Sequence, residues 1–210
     1  YYCLKNALNK EMPWGSLTGI RPTKLLRDIG DKEVLNKTYD LPIKKGELLQ
    51  RIIDNQSPYF VPKKDEVDIY IGIPFCPSRC SYCSFVSHSV EQAKKLIPEY
   101  VEYLCREIEY TGKIAKDLEL RLETIYIGGG TPTSLTAEQL TKIMETVKKN
   151  FNLNYLREYT VEAGRPDTIT AEKLSVAKKY GITRISVNPQ TLSDEILREI
   201  GRRHTTEDFY

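Results

Sequence analysis

Long apolar runs are missing from the 210-residue sequence. No stretch approaches the roughly 20 residues that a membrane-crossing helix needs, so no membrane span is expected. No signal peptide is visible either. An excess of one charge is also missing, since 31 Lys and Arg face 29 Asp and Glu. Charge therefore gives no reason to expect nucleic acid or a membrane surface as a partner. Arg21, Lys24 and Arg27 make too sparse a basic patch for a DNA-reading helix-turn-helix. Cysteine is scarce, with Cys3, Cys76, Cys80, Cys83 and Cys105. A disulfide scaffold is shorter and spreads its cysteines out. Here three crowd into one short stretch, which reads as metal binding in a reducing compartment, the cytoplasm. Cys3 and Cys105 read as ordinary core thiols. The sequence opens on Tyr1 rather than Met, so it is expected to begin inside a longer protein.

What is present falls into two regions. Residues 1–65 carry short helical stretches broken by loops, with no repeat or low-complexity tract. Pro22 suits the first position of a helix that ends at Gly30. Residues 47–53 place Leu48, Leu49, Ile52 and Ile53 on one helical face. Pro58, Pro62 and the charges of residues 63–66 read as a linker. From residue 66 onward the pattern is regular. Strands are predicted at residues 67–73, 124–127, 159–161 and 182–187 from their β-branched and aromatic content. Helices are predicted from Pro98, with Val101, Leu104, Cys105 and Ile108 in a stripe. Others follow Thr136, capped with Gln139, then Thr170, with Leu174, Ala177 and Tyr180 inward, and Ser193. Four strand–helix units in a row imply an α/β fold with a parallel sheet. In such sheets the chemistry sits on loops at the C-terminal strand ends.

The chemistry-bearing residues fall at those ends. The first loop reads Cys76-Pro-Ser-Arg-Cys80-Ser-Tyr-Cys83. Three thiolates this close suit one metal centre. A cubane [4Fe–4S] cluster normally takes four cysteines, so three leave one iron open for a ligand. Structural zinc, with His88 as a fourth ligand, is the alternative the spacing leaves open. Simple packing is the other, disfavoured by the polar neighbours. Gly128-Gly129-Gly130-Thr131-Pro132-Thr133 follows the second strand. It lacks both the Walker ending and the spaced glycines of a dinucleotide loop. On its own it is a tight turn or a place of close backbone approach.

The Cys-x3-Cys-x2-Cys spacing, with Tyr82 before the last cysteine, resembles the signature of radical S-adenosylmethionine (SAM) enzymes. The glycine segment and the lead-in Tyr70-Ile-Gly-Ile-Pro-Phe75 are similar to the oxygen-independent coproporphyrinogen III oxidase group. Pro13-Trp-Gly-Ser-Leu-Thr-Gly-Ile-Arg-Pro-Thr-Lys24, Val161-Glu-Ala-Gly-Arg-Pro-Asp167 and Val187-Asn-Pro-Gln-Thr191 look like its HemZ branch. The resemblance implies a [4Fe–4S] cluster on Cys76, Cys80 and Cys83. It implies SAM contacts from Tyr70, Tyr82, Gly129, Gly130, Thr131, Glu162, Gln190 and Arg202. It implies a (β/α)6-type barrel, of which about four units would be present in residues 66–210, after a small helical region at 1–65. The chain is thus expected to be the front part of a longer protein. A 5′-deoxyadenosyl radical would take hydrogen from the propionates of coproporphyrinogen III, leaving vinyl groups in haem biosynthesis. A tetrapyrrole substrate and an electron donor such as flavodoxin or ferredoxin are the implied partners. Two departures stand out. Phe85 occupies a position where the oxidases carry a further cysteine. His204 lies in a Gly-Arg-x-His pattern that resembles the haem-chaperone branch, although the bare sequence reads it as a surface histidine.

Overall fold

The computed structural model describes residues 1–19, 21–59 and 63–210. Ile20, within the front motif, and Pro62, within the linker stretch, lie outside the described residues. The chain divides into two compact units, Tyr1–Lys63 and Lys64–Tyr210.

The first unit consists of α1 (Tyr2–Leu8), α2 (Pro22–Ile29), α3 (Lys32–Tyr39) and α4 (Ile43–Gln56) among its described residues. Pro22 sits in the first turn of α2, where its missing N–H costs no bond. Gly30 ends that helix in the left-handed conformation. Leu26, Leu35, Leu41 and Leu49 form a small buried core of their own, with Trp14, Ile29 and Ile53 against it. Helix α1 buries none of its residues. Cys3 is therefore exposed, not the core thiol expected from sequence.

The second unit runs β1 (Glu66–Ile73), β2 (Phe75–Cys76), β3 (His88–Ser89), α5 (Val90–Ala93), α6 (Ile97–Asp117), β4 (Arg121–Gly129) and α7 (Ala137–Asn150). It continues through β5 (Glu158–Glu162), α8 (Ala171–Lys179), β6 (Arg184–Ser186), α9 (Asp194–Glu199) and α10 (Thr206–Phe209). Strands β1, β4, β5 and β6 form one sheet in that order, each pair parallel. The fold is α/β with a parallel sheet, as the alternating pattern implies. Strand β6 begins at Arg184, two residues later than expected. Thr183 already bonds Tyr159 through its backbone and hydroxyl. The α8 stripe also shifts: Leu174 is exposed, and Val176 packs inward beside the buried Ala177 and Tyr180.

The two faces of the sheet differ because side chains alternate along a strand. One face presents Ile71, Ile73, Ile125, Ile127, Tyr159 and Val161, all buried. Against it pack Val101, Leu104 and Ile108 of α6 and Leu140, Ile143, Met144 and Val147 of α7. The capping box of Thr136 and Gln139 starts α7 by pairing backbone donors that would otherwise stay open. The opposite face is polar, with Asp68, Tyr70, Thr124, Tyr126, Thr160 and Glu162. There the Thr124 hydroxyl donates to Asp68 at 2.6 Å, and Tyr70 stacks on Tyr126 at 5.8 Å between ring centres. Parallel pairing also gathers the C-terminal ends of all four strands at one rim of the sheet.

Candidate active site

The cysteine loop leaves β1 at that rim. A two-residue parallel bridge between β2 and β3 closes its ends, pairing Phe75 with His88 and Cys76 with Ser89. Within it Cys83 N–H donates to the Cys80 carbonyl at 3.1 Å. The loop is also held from two distant segments. Ser81 N–H donates to the Ile200 carbonyl at 3.1 Å, and the Ser78 hydroxyl to the Gly201 carbonyl at 2.6 Å. On the other side Gly130 N–H donates to Ile73 and Thr131 N–H to Phe75, both at 2.8 Å. Thr131 Oγ1 lies 3.4 Å from Cys76 Sγ.

The glycine segment is pressed against the cysteines. Gly129 has φ of 108°, a conformation that side chains rarely adopt. A Cβ on Gly130 would come within 2.7 Å of the Phe75 carbonyl and 3.0 Å of Cys76 Sγ. The glycines are thus needed for close approach, the reading left open by the sequence.

A cavity of about 150 Å³ lies between these parts. Cys76, Cys80 and Cys83 line it together with Tyr82, Gly129, Gly130 and Thr131. Glu162, Gln190 and Arg202 line it from the ends of β5, β6 and α9. Of the residues named from sequence, Tyr70 alone does not. It is 63% exposed on the polar sheet face, where it stacks on Tyr126, and burial followed by the nearby Glu162 charge raises its phenol. The Tyr126 hydroxyl donates to Glu162 Oε1 at 2.6 Å. That hydrogen bond, with burial second, pushes the Tyr126 phenol up to about 12, because it stabilises the neutral donor. Gln190 takes a positive φ of 63°, costly for a side-chain-bearing residue and typical of functional sites.

Arg202 is 7% exposed. Its Nη1 donates to the Gly164 carbonyl at 2.6 Å and its Nη2 to the Tyr82 hydroxyl at 3.2 Å. Its Nε has no hydrogen-bond partner, and no carboxylate pairs with it among the described residues. A buried, unneutralised guanidinium at the cavity wall suits an anionic ligand. His204 is buried rather than on the surface, with Nε2 3.3 Å from the Pro189 carbonyl. Arg165, Asn188, Gly164 and Phe85 also line the cavity. Sequence reasoning gave none of them a role there. Phe85 carried a signal as the substituted cysteine position, and Gly164, Arg165 and Asn188 lay within motifs that the resemblance marked without assigning them a contact.

The donor set fits a cluster better than one ion. Around a single zinc the sulfurs would crowd to about 3.8 Å from one another, given Zn–S bonds of ~2.3 Å. Among the described residues no three His, Cys, Asp or Glu are grouped to hold one ion. His88, the fourth ligand that zinc requires, does not line the cavity. Cysteines that bind different irons of a cubane stand further apart around a larger body. The shared cavity bordered by glycines provides for such a body.

Residues 70–210 match the model of the radical SAM superfamily. The chain is 45% identical over 208 residues to the oxygen-independent coproporphyrinogen-III oxidase-like protein HemZ of Bacillus subtilis, spanning 93% of this chain and 41% of that protein. It is 42% identical over 142 residues to the heme chaperone HemW of the same organism, spanning 67% of this chain and 36% of HemW. Among solved structures, the Escherichia coli coproporphyrinogen III oxidase HemN, described as a radical SAM enzyme, superposes with a TM-score of 0.59 at 25% identity. That match covers 73% of this chain and 34% of HemN. The chain thus spans less than half the length of these relatives. Its parallel sheet is a partial radical SAM fold, and the chain belongs to the radical SAM superfamily.

Proposed function

We propose that this chain carries the cluster- and SAM-holding part of an enzyme that oxidatively decarboxylates the propionates of coproporphyrinogen III to vinyl groups. The observation that carries the reading is the single cavity shared by three loop cysteines and the ends of β4, β5, β6 and α9. When bound, a [4Fe–4S] cluster and SAM supply a one-electron reductive cleavage that yields a 5′-deoxyadenosyl radical.

The protein's part is to bind, orient and exclude water. Cys76, Cys80 and Cys83 would each take one iron and leave a fourth open. Gly129, Gly130 and Thr131 bring bare backbone to the cavity wall, where the amino group of SAM would meet carbonyl oxygens. Arg202 offers the cation for the SAM carboxylate, and Glu162, held by Tyr126, offers an acceptor for hydroxyl or ammonium groups. Tyr82 holds the Arg202 guanidinium at the cavity wall by accepting from its Nη2. Tyr70 acts by stacking on Tyr126. The tetrapyrrole pocket and the docking site of an electron donor such as flavodoxin or ferredoxin would be built by further barrel units beyond β6. Intact mass of the natural gene product checks that last point. A mature chain of only this length would sink it.

The central test is anaerobic. The full natural gene product, reconstituted and reduced with dithionite, is expected to give a [4Fe–4S]⁺ paramagnetic resonance signal that shifts on adding SAM, and to convert coproporphyrinogen III to a divinyl product. A colourless protein that takes up one zinc overturns the reading. The likeness to HemW and the presence of Phe85 in place of a cysteine favour one second reading, a haem-carrying relative with a cluster but no oxidase turnover. Stoichiometric haem binding, read by its absorbance, without porphyrin product would select it.

A further inference from the structure

Arg79 lies inside the cysteine motif, yet it is exposed. The guanidinium that penetrates the loop comes from Arg165, after β5, and it is 3% exposed. Its Nη1 donates to Cys80 Sγ at 2.9 Å and its Nη2 to the Ser78 hydroxyl. Ser78 in turn donates to the Gly201 carbonyl. Three chain segments are thus tied through one side chain. Asp167 forms an ion pair with Nε at 3.8 Å, without a hydrogen bond.

This is an unusual place for a permanent cation. Burial of a charge is tolerated when an opposite charge lies close by. Asp167 meets that need on the Nε side only, because the Nη side faces Cys80 Sγ and the Ser78 hydroxyl, and neither of these matches a full positive charge in an uncharged loop. Three thiolates around an iron–sulfur body do. Arg202, the other buried guanidinium, donates to Gly164 and Tyr82 and to no cysteine. Arg165 alone touches a cysteine sulfur among the arginines described.

We infer that Arg165 is a positioning residue for the cluster, fixing Cys80 and biasing the cluster toward its one-electron-reduced form. The inference rests on the cluster reading of Cys76, Cys80 and Cys83. Reduction adds one electron from an external donor and makes the cluster more negative, so a neighbouring fixed cation stabilises the reduced form. A hydrogen bond to a ligand sulfur acts in the same direction.

The test is an anaerobic redox titration of the full natural gene product, reconstituted with iron and sulfide. Dithionite is the electron donor, and paramagnetic resonance reads the reduced fraction. Wild-type protein that assembles no cluster sinks the cluster reading itself, before any variant is compared. In Arg165→Gln the reduced-to-oxidised ratio at the wild-type midpoint is expected to fall about tenfold, a shift of ~59 mV for a one-electron couple. Arg165→Lys keeps the charge without the fork and falls between the two. Arg203→Gln removes an exposed guanidinium that faces Glu91 and leaves the midpoint in place. If Arg165→Gln holds no cluster, retention by Arg165→Lys supports the role of the charge. The inference is overturned if Arg165→Gln titrates with the wild type, or if both variants lose iron alike, which marks Arg165 as a purely structural anchor.

Discussion

At the residue scale Gly130 is wedged between the Phe75 carbonyl and Cys76 Sγ. Gly130→Ala is expected to destabilise the fold by about 1–3 kcal/mol through overpacking. It should also lower the iron bound after reconstitution, measured by denaturant unfolding and iron assay on one sample. Cys80→Ala should abolish cluster binding, while Cys105→Ala, buried in the α6 stripe, leaves iron content unchanged. Tyr126 makes a pH prediction. Its phenol is raised from 10.0 to about 12, so the fold favours the protonated form. Its contribution to stability is complete below pH 10 and is lost as pH climbs toward 12. Wild-type protein should therefore lose more unfolding free energy than Tyr126→Phe between about pH 9 and about pH 11, read by urea titration. The cysteines are legible in the sequence because their spacing is local. The role of Arg165 is not, since its partner sulfur lies 85 residues away and the motif around Pro166 does not show which side chain it meets.

At the element scale α9 acts as a strut. Ser193 caps it, Leu197 is fully buried beneath it, and its end presents the Ile200 and Gly201 carbonyls to the cysteine loop. Leu197→Ala is expected to cost about 2–5 kcal/mol. Because the strut then loosens, it should also slow cluster uptake, which Ala177→Gly on α8 should not. Thr136→Ala removes the cap of α7 and is expected to cost about 1 kcal/mol with uptake unchanged. Elements with strong local signals were readable, such as α2 between Pro22 and Gly30 and α7 behind its capping box. The bridge of β2 and β3 was not, because each strand has two residues and nothing in Phe75-Cys76 shows a partner at His88-Ser89. The direction of α1 was equally hidden. A short helix with apolar residues but no buried ones has the same local pattern as one that packs.

At the scale of the whole molecule, alternating strands and helices were enough to give the parallel sheet. They also placed the chemistry at its C-terminal rim. They were not enough to place Tyr70, which opens the lead-in motif yet stacks on Tyr126 outside the cavity. The cavity draws on segments from residue 76 to residue 202, so its walls are non-local and form late in folding. That has a bearing on synthesis. The three thiols leave the ribosome well before the carbonyls at positions 200 and 201 that hold their loop. A nascent chain arrested near residue 160 should therefore show thiols that alkylate as fast as free cysteine, whereas one arrested well past residue 210 should protect them. Under the proposed function, iron uptake is then expected to follow the arrival of α9 rather than the synthesis of the cysteines.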